Sequence, residues 1–238
     1  MPLELESVMF RGTDPARAAT FWAKMLQRTP QEDADGILLA GTPTQVGLRF
    51  GPGGAHSPVK NRVHLHLSRA ERTQRETIEA AEKAGGRRLG SGNIPPGSYA
   101  VMSDPTGDEF CAIQDENRYL DGCGPLGEVT CEGTRASGRF WSEALGWPLV
   151  WDQDEETAIQ SPAGGTKLAW SGDEVDPARD PSRQLFVLSV DPSELAEELE
   201  RLASLGATRI GDSPTGATLL RDPDGVEFRI RARRRSGQ

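Results

Sequence analysis

The chain has 238 residues, of which 36% are hydrophobic, and it carries a formal net charge of -9. This length suffices for one large or two ordinary compact domains, and the acidic balance argues against nucleic acid or an anionic membrane as the main partner. The N-terminus has no basic segment followed by an apolar one, and no apolar run is long enough to span a bilayer. We therefore expect a soluble, cytoplasmic protein.

The predicted elements of the first half begin with a strand and a helix that starts at Asp14-Pro15, where Asp is a suitable N-cap and Pro suits the first helical turn. A second helix spans 72–84 and ends at a Gly-Gly pair. Alternation and turn residues predict the strands. The strands predicted in this half are 3–11, 36–40, 45–50, 62–68, 98–102 and 109–114.

The strand 62–68 has the clearest alternation in the chain. Its apolar residues Val63, Leu65 and Leu67 fall on one face. His64 and His66 fall on the opposite face, because successive side chains of a strand point to opposite sides. Two imidazoles are thus predicted to share one face of a sheet.

Residues 116–125 contain two Gly and one Pro and are predicted to be a linker. The second half then repeats the order of the first, with one helix at 135–145 and another that follows Asp191-Pro192 and ends at Gly206. The strands predicted here are 126–132, 147–151, 157–161, 166–170, 184–190 and 226–231. Residues 233–238 are predicted to be a basic, solvated tail.

A turn sequence occurs in both halves, as DPTGDEF at 104–110 and as DPDGVEF at 222–228. Asp, Pro and Gly at these positions are typical of a tight turn, and in each copy a Glu, Glu109 or Glu227, opens the strand that follows. Phe21-Trp22 likewise recurs at 140–141. These matches at nearly constant offset indicate a duplication, with two βαβββ modules in each half.

The repeated motifs resemble the vicinal oxygen chelate superfamily, which includes glyoxalase I, bleomycin-resistance proteins and extradiol dioxygenases. The likeness covers nearly the whole chain and is greatest to actinobacterial glyoxalase-like proteins. It implies an α+β fold with two tandem domains, 1–115 and 126–232. In such proteins paired modules curl around a cleft, and members that use a metal place its ligands on the first strand, the strand before the second helix, and the last strand.

Transferred to the first half, the resemblance points to Ser7, His64 and Glu109 at these three places, and His66 lies close by on the same face. Imidazole and carboxylate ligands suit Zn, Ni, Fe or Mn, but Ser7 is a poor third ligand. The first half therefore either holds one divalent metal through His64 and Glu109, or uses these residues to bind a small molecule directly.

The corresponding residues of the second half are Glu128, Leu185 and Glu227. Leu185 removes the imidazole, so we expect no transition metal there. Trp151 and Trp170 lie on predicted strands, and on the cleft face they would form an aromatic wall suited to a flat ligand.

The three cysteines, Cys111, Cys123 and Cys131, show no spacing typical of a disulfide framework or a zinc site, and we interpret them as small buried residues. Neither a Ser-His-Asp set nor a phosphate-binding loop is present.

The sequence leaves two candidate functions open. The incomplete metal triads favour a binding protein for a small organic molecule, acting as a monomer with an internal pseudo-dimer or as a homodimer. The alternative is a metal-dependent lyase, isomerase or dioxygenase.

Overall fold

The computed structural model describes residues 3–54, 61–90, 98–172 and 183–233. In the first half the elements are β1 (Glu4–Gly12), α1 (Pro15–Leu26), β2 (Pro30–Asp33), β3 (Gly36–Leu39), β4 (Gly47–Pro52), β5 (Val63–Leu67), α2 (Gln74–Lys83), β6 (Arg87–Arg88), β7 (Ala100–Ser103) and β8 (Glu109–Ala112). In the second half they are β9 (Leu126–Cys131), α3 (Arg135–Leu145), β10 (Leu149–Gln153), β11 (Glu156–Gln160), β12 (Lys167–Trp170), β13 (Gln184–Val190), α4 (Leu195–Ser204), β14 (Thr208–Asp212), β15 (Thr218–Arg221) and β16 (Glu227–Ala232). Both halves have the same order of elements, two βαβββ modules each, so the predicted α+β class is confirmed.

Local sequence explains where the helices of the first half begin. The Asp14 side chain accepts a hydrogen bond from the Arg17 backbone N–H at 3.0 Å, and Pro15 follows it as the first residue of α1. At α2, Thr73 and Glu76 form a reciprocal capping box. None of the helices within the described ranges is long and apolar enough to cross a membrane.

The strands form two mixed eight-stranded sheets. The first sheet has the order β14-β15-β16-β13-β1-β4-β3-β2, and the second has the order β10-β11-β12-β9-β5-β8-β7-β6. Each sheet therefore combines one module from each half of the sequence. The antiparallel junctions are β1 with β13 and β5 with β9.

This pairing differs from the expectation that the two modules of one half would enclose a cleft together. The segment 113–125 between β8 and β9 returns the chain so that β9 pairs alongside β5. Pairing across the halves also covers the exposed edges that β1 and β5 would otherwise present, and unpaired edges favour aggregation. Consequently, residues that face one another across the β1–β13 and β5–β9 junctions come from different halves.

The repeated Phe-Trp and Asp-Pro-x-Gly sequences are joined by a hydrogen bond in each half. The indole N–H of Trp22 in α1 donates to Asp104 at 3.1 Å, and that of Trp141 in α3 donates to Asp222 at 3.1 Å. Both tryptophans are 2% exposed or less. Burial raises the pKa of Asp222 to about 6, against the opposing effect of its hydrogen bonds.

The aromatic rings beside these tryptophans connect the two sheets. Trp22 packs edge-on against Phe110 of β8, with ring centroids 5.2 Å apart, although α1 packs on β3 and β4 of the first sheet. Trp141, whose helix packs on the second sheet, packs in the same way against Phe228 of β16 at 4.9 Å. The core between the sheets is therefore continuous.

Four strands of the structure were not predicted from the sequence: β2, β6, β14 and β15. β2 (PQED) and β6 (RR) are terminal strands with polar or charged residues throughout, so their sequences show no apolar alternation. Polar edge strands of this kind are common because they discourage pairing with other chains. Of the predicted basic tail, residues 234–238 lie outside the described residues, and Arg233 forms an ion pair with Glu4 at 3.0 Å.

Candidate functional site

His64 and His66 share one face of the second sheet, as the alternation predicted. The apolar residues of β5 are buried in the core, at 5% exposure or less, whereas both histidines are partly exposed on the other side. The neighbouring strands add carboxylates to this side. We call the side that carries His64, His66, Glu109 and Glu128 the histidine face.

The pairing of β5 with β9 brings second-half residues onto the histidine face. His64 lies opposite Thr130, and His66 lies opposite Glu128. The Nδ1 atom of His66 is 2.8 Å from Oε2 of Glu128, and the Thr130 hydroxyl donates to the same oxygen at 2.8 Å. Glu128 was expected in a separate second-half site, so this contact is a consequence of the pairing between halves.

His66 and Glu128 form an ion pair that is largely shielded from water. Burial favours neutral His66, but hydrogen bonds to Cys111 and Glu128 and the negative charge of Glu128 outweigh it and raise the pKa of His66 to about 9. Burial likewise opposes charge on Glu128, yet hydrogen bonds from His66, Thr130 and Tyr119 and the positive charge of His66 lower its pKa. At neutral pH the imidazole is therefore protonated and the carboxylate is ionised.

His64 and Glu109 form a looser pair than His66 and Glu128. Nε2 of His64 is 3.8 Å from Oε2 of Glu109, and the side chains are 15% and 29% exposed. This distance exceeds that of a hydrogen bond. The two side chains therefore lie close together on the face without a direct hydrogen bond between them.

The segment 113–125, which includes the predicted linker, covers another part of the histidine face. Leu120 and Cys123 pack against Cys111 in a small apolar cluster that Tyr119 joins. Lys167 of β12 donates a hydrogen bond to the Tyr119 carbonyl and places its ammonium group 3.7 Å from the centre of the Tyr119 ring. This segment is thus packed onto the sheet and forms one wall beside the histidines.

The two tryptophans proposed as ligand contacts differ in position. Trp151 on β10 is 38% exposed and packs edge-on against Tyr119, with ring centroids 6.1 Å apart. Trp170 is 2% exposed and belongs to the core. Strand register explains this difference. Trp151 lies opposite Ala158, and Ala158 lies opposite Ala169, so these three residues share one face of the sheet. Trp170 follows Ala169 on its strand and therefore points to the other face. Only Trp151 of these two can present its ring to a ligand on the histidine face.

Ser7 does not lie with His64 and Glu109. It is on β1 of the first sheet, fully buried, and in register with Val187 of β13. Leu185 and Glu227 also lie in that sheet, on β13 and β16. The grouping of Ser7 with His64 and Glu109 that the resemblance implied is therefore wrong, because the module of Ser7 pairs with the last module of the chain.

Four residues of the histidine face were missed as site residues: Cys111, Thr130, Tyr119 and Lys167. Cys111 is buried, as predicted, but it lies opposite His66 on the parallel strand β8, where it contributes to raising the pKa of His66. Alternation along β8 places Cys111 on the same face as Glu109 and was the available signal. The other three come from segments whose proximity depends on the β5–β9 pairing.

The donor groups of the histidine face do not fit a three-ligand metal centre. His64 and Glu109 are two donors, and Glu128 is already paired with protonated His66. Lys167, a cation, occupies the position opposite Glu128 on β12. Among the residues that the structure describes, no group of three or more His, Cys, Asp or Glu side chains is placed to hold a metal ion. Bound metals need deprotonated donors, usually three or more.

Solved structures of similar fold include a glyoxalase I and a putative dioxygenase. Glyoxalase I from Zea mays is 16% identical over 96% of this chain and 92% of that chain, with a TM-score of 0.64. A putative dioxygenase from Bacillus subtilis is 12% identical over 96% of this chain and 84% of that chain, with a TM-score of 0.59. At this identity the likeness shows the fold. No curated protein matches the sequence.

The sequence model of the Glyoxalase-like domain family matches twice, at residues 7–113 and 128–231. These ranges coincide with the two copies of the β-α-β-β-β-β-α-β-β-β order. The chain therefore belongs to the Glyoxalase-like domain family and is a tandem member of the vicinal oxygen chelate superfamily.

Proposed function

We propose that the protein binds a small organic molecule on the histidine face without a metal ion. His64 and Glu109 contact the polar part of the molecule, and Trp151 packs against its apolar part. The observation that carries this proposal is the placement of an imidazole and a carboxylate, His64 and Glu109, 3.8 Å apart on a sheet face that also presents a partly exposed tryptophan. Binding sites commonly combine an apolar wall with a few convergent polar groups.

The His66–Glu128 pair has a supporting role in this proposal. With Nδ1 and Oε2 2.8 Å apart and Thr130 on the same oxygen, the pair fixes the floor of the face between β5 and β9. A charge-assisted hydrogen bond of this kind is directional and holds both side chains in place. Protonated His66 lies two residues from His64 on the same face of β5. Its positive charge also favours binding of an electron-rich ligand group, such as a carbonyl or hydroxyl oxygen.

The proposal predicts the effect of two substitutions. His64→Ala and Glu109→Gln should each weaken ligand binding by about 1–3 kcal/mol, because each removes a hydrogen-bond partner of the ligand. The measurement is a small-molecule screen followed by tryptophan fluorescence and titration calorimetry of the hits. It is run with and without added Zn, Ni, Fe and Mn.

Glu227→Gln provides a matched control, because Glu227 is the repeat counterpart of Glu109 but lies in the first sheet. It should leave affinity unchanged. Stoichiometric metal uptake that His64→Ala abolishes together with turnover would replace this proposal with the metal-dependent enzyme. If both variants bind normally but unfold at lower denaturant concentration, the pair has a structural role and the proposal is wrong.

A further inference from the structure

The first sheet carries a cluster of buried charges on the side that faces away from its core. Ser7, Met9, Leu185 and Val187 form the floor, since Val8, Phe186 and Leu188 alternate with them and point into the core. Above this floor lie Arg49 of β4 and Arg229 and Arg231 of β16, with the carboxylates Glu6, Asp33 and Asp35. We call this side of the first sheet the arginine face.

The three guanidinium groups converge although their strands are far apart. Strands β1 and β13 separate β4 from β16, which places the strands that carry Arg49 and Arg231 about 14 Å apart across the sheet. Both arginines nevertheless contact the same Oε1 atom of Glu6, Arg49 at 3.4 Å. Arg231 and Arg229 also share Asp35, each at 3.3 Å. The side chains therefore extend inward from both sides over β1 and β13.

Several donors in this cluster have no acceptor. Among the described residues, Nε and Nη2 of Arg229, Nε of Arg49 and Oγ of Ser7 are buried without a hydrogen-bond partner. Arg229 is 6% exposed, and Arg49 and Ser7 are 0% exposed. Buried N–H and O–H groups are rarely left without a partner, because the lost hydration is costly.

The unused atoms of Arg229 have a specific chemistry. Asp35 contacts only its Nη1 atom, which leaves the buried Nε–Nη2 edge without an acceptor. This edge presents two parallel N–H groups that match the two oxygens of a carboxylate. Burial and the positive charges of Arg49 and Arg231 lower the pKa of Arg229, against the attraction of Asp35 and Glu6.

We propose that the arginine face is a second binding site, which takes the carboxylate of a small organic acid on the Nε–Nη2 edge of Arg229. Ser7 is in register with Val187, and Val187 with Arg229, so the Ser7 hydroxyl lies in the same row on the same face. The apolar part of the acid packs on Met9, Leu185 and Val187. The site is separate from the histidine face and does not depend on its function.

Two turns close this site. Asp35, at the turn between β2 and β3, accepts a hydrogen bond at 2.6 Å from Thr215, in the turn between β14 and β15. The turns come from opposite ends of the sheet. The acid enters when these turns separate.

The test is a titration of the intact protein with benzoate and acetate, with benzamide as the uncharged analogue of benzoate. Calorimetry measures affinity, and NMR follows the arginine Nε–Hε signals. We expect saturable binding of benzoate, none of benzamide, and a shift of the Arg229 signal. Arg229→Lys keeps the charge but removes the two-atom edge, and it should weaken binding by about tenfold or more.

Matched variants separate this proposal from the function of the histidine face. Arg209→Lys, at an exposed arginine of β14, and His64→Ala should bind benzoate like the wild type, whereas Ser7→Ala should bind it more weakly. If Arg229→Lys does not fold, the NMR signal of Arg229 in the wild type and the benzoate affinity of Ser7→Ala still test the proposal. Absence of saturable benzoate binding, equal binding of benzamide, or an unshifted Arg229 signal would overturn the proposal and assign these donors to water.

Discussion

A single imidazole on the histidine face couples ionisation to folding. The pKa of His66 rises from 6.5 to about 9, through hydrogen bonds to Cys111 and Glu128 and the charge of Glu128, which outweigh burial. Protonated His66 therefore stabilises the folded chain fully below pH 6.5, and this contribution is lost as the pH rises towards 9.

We predict that His66→Gln removes this pH dependence. The difference in free energy of unfolding between wild type and variant should decrease by about 1–3 kcal/mol from pH 6.5 to pH 9. Urea denaturation at several pH values, followed by circular dichroism, measures it. Trp151→Phe, a non-titrating change on the same face, should keep the wild-type profile. A difference that stays constant or grows with pH contradicts the assignment.

At the scale of elements, each half joins a helix to a turn through one indole–carboxylate hydrogen bond. Trp22→Phe leaves the Asp104 oxygen buried without its donor, and it should lower the free energy of unfolding by about 1–3 kcal/mol. Trp141→Phe should act in the same direction through Asp222. The measurement is chemical denaturation followed by far-UV circular dichroism.

A double-mutant cycle isolates this contact from the lost packing of the indole. Trp22→Phe combined with Asp104→Ala, which removes the acceptor, should show a coupling of about 0.5–3 kcal/mol, since residues in direct contact are rarely additive. Trp22→Phe combined with Asp222→Ala joins residues of different halves and should be additive. Additivity within the Trp22–Asp104 pair would mean that the hydrogen bond contributes nothing to stability.

Several elements could be predicted from sequence alone because their signal is local. Alternation in 62–68 placed His64 and His66 on one face, and the two Asp-Pro-x-Gly turns revealed the repeat. The partner of each sheet edge could not be predicted, since four similar modules offer similar first strands and no residue of β1 indicates pairing with β13 rather than β5. Ser7 was therefore grouped with the wrong residues, and the contacts of Glu128 with His66 were missed.

At the scale of the whole molecule, neither half contains a complete sheet. The separate fragments 1–115 and 116–238 would expose the edges of β1, β5, β9 and β13, which are paired in the intact chain. We predict that each fragment alone self-associates or precipitates, and that the two refolded together form a one-to-one complex with the circular dichroism of the intact chain. Analytical ultracentrifugation measures the association. A fragment 1–115 that is a folded monomer at micromolar concentration would contradict this prediction.

The cross-pairing of modules has a consequence for how the two faces could diverge after duplication. If a single-copy ancestor formed a dimer with the same pairing, symmetry would have made its two faces identical, and every substitution would have changed both. Fusion into one chain removes this constraint. The repeat positions 111 and 229 show the result, with a cysteine beside a histidine on one face and an arginine among carboxylates on the other. One gene thereby encodes two chemically different faces that selection can alter independently.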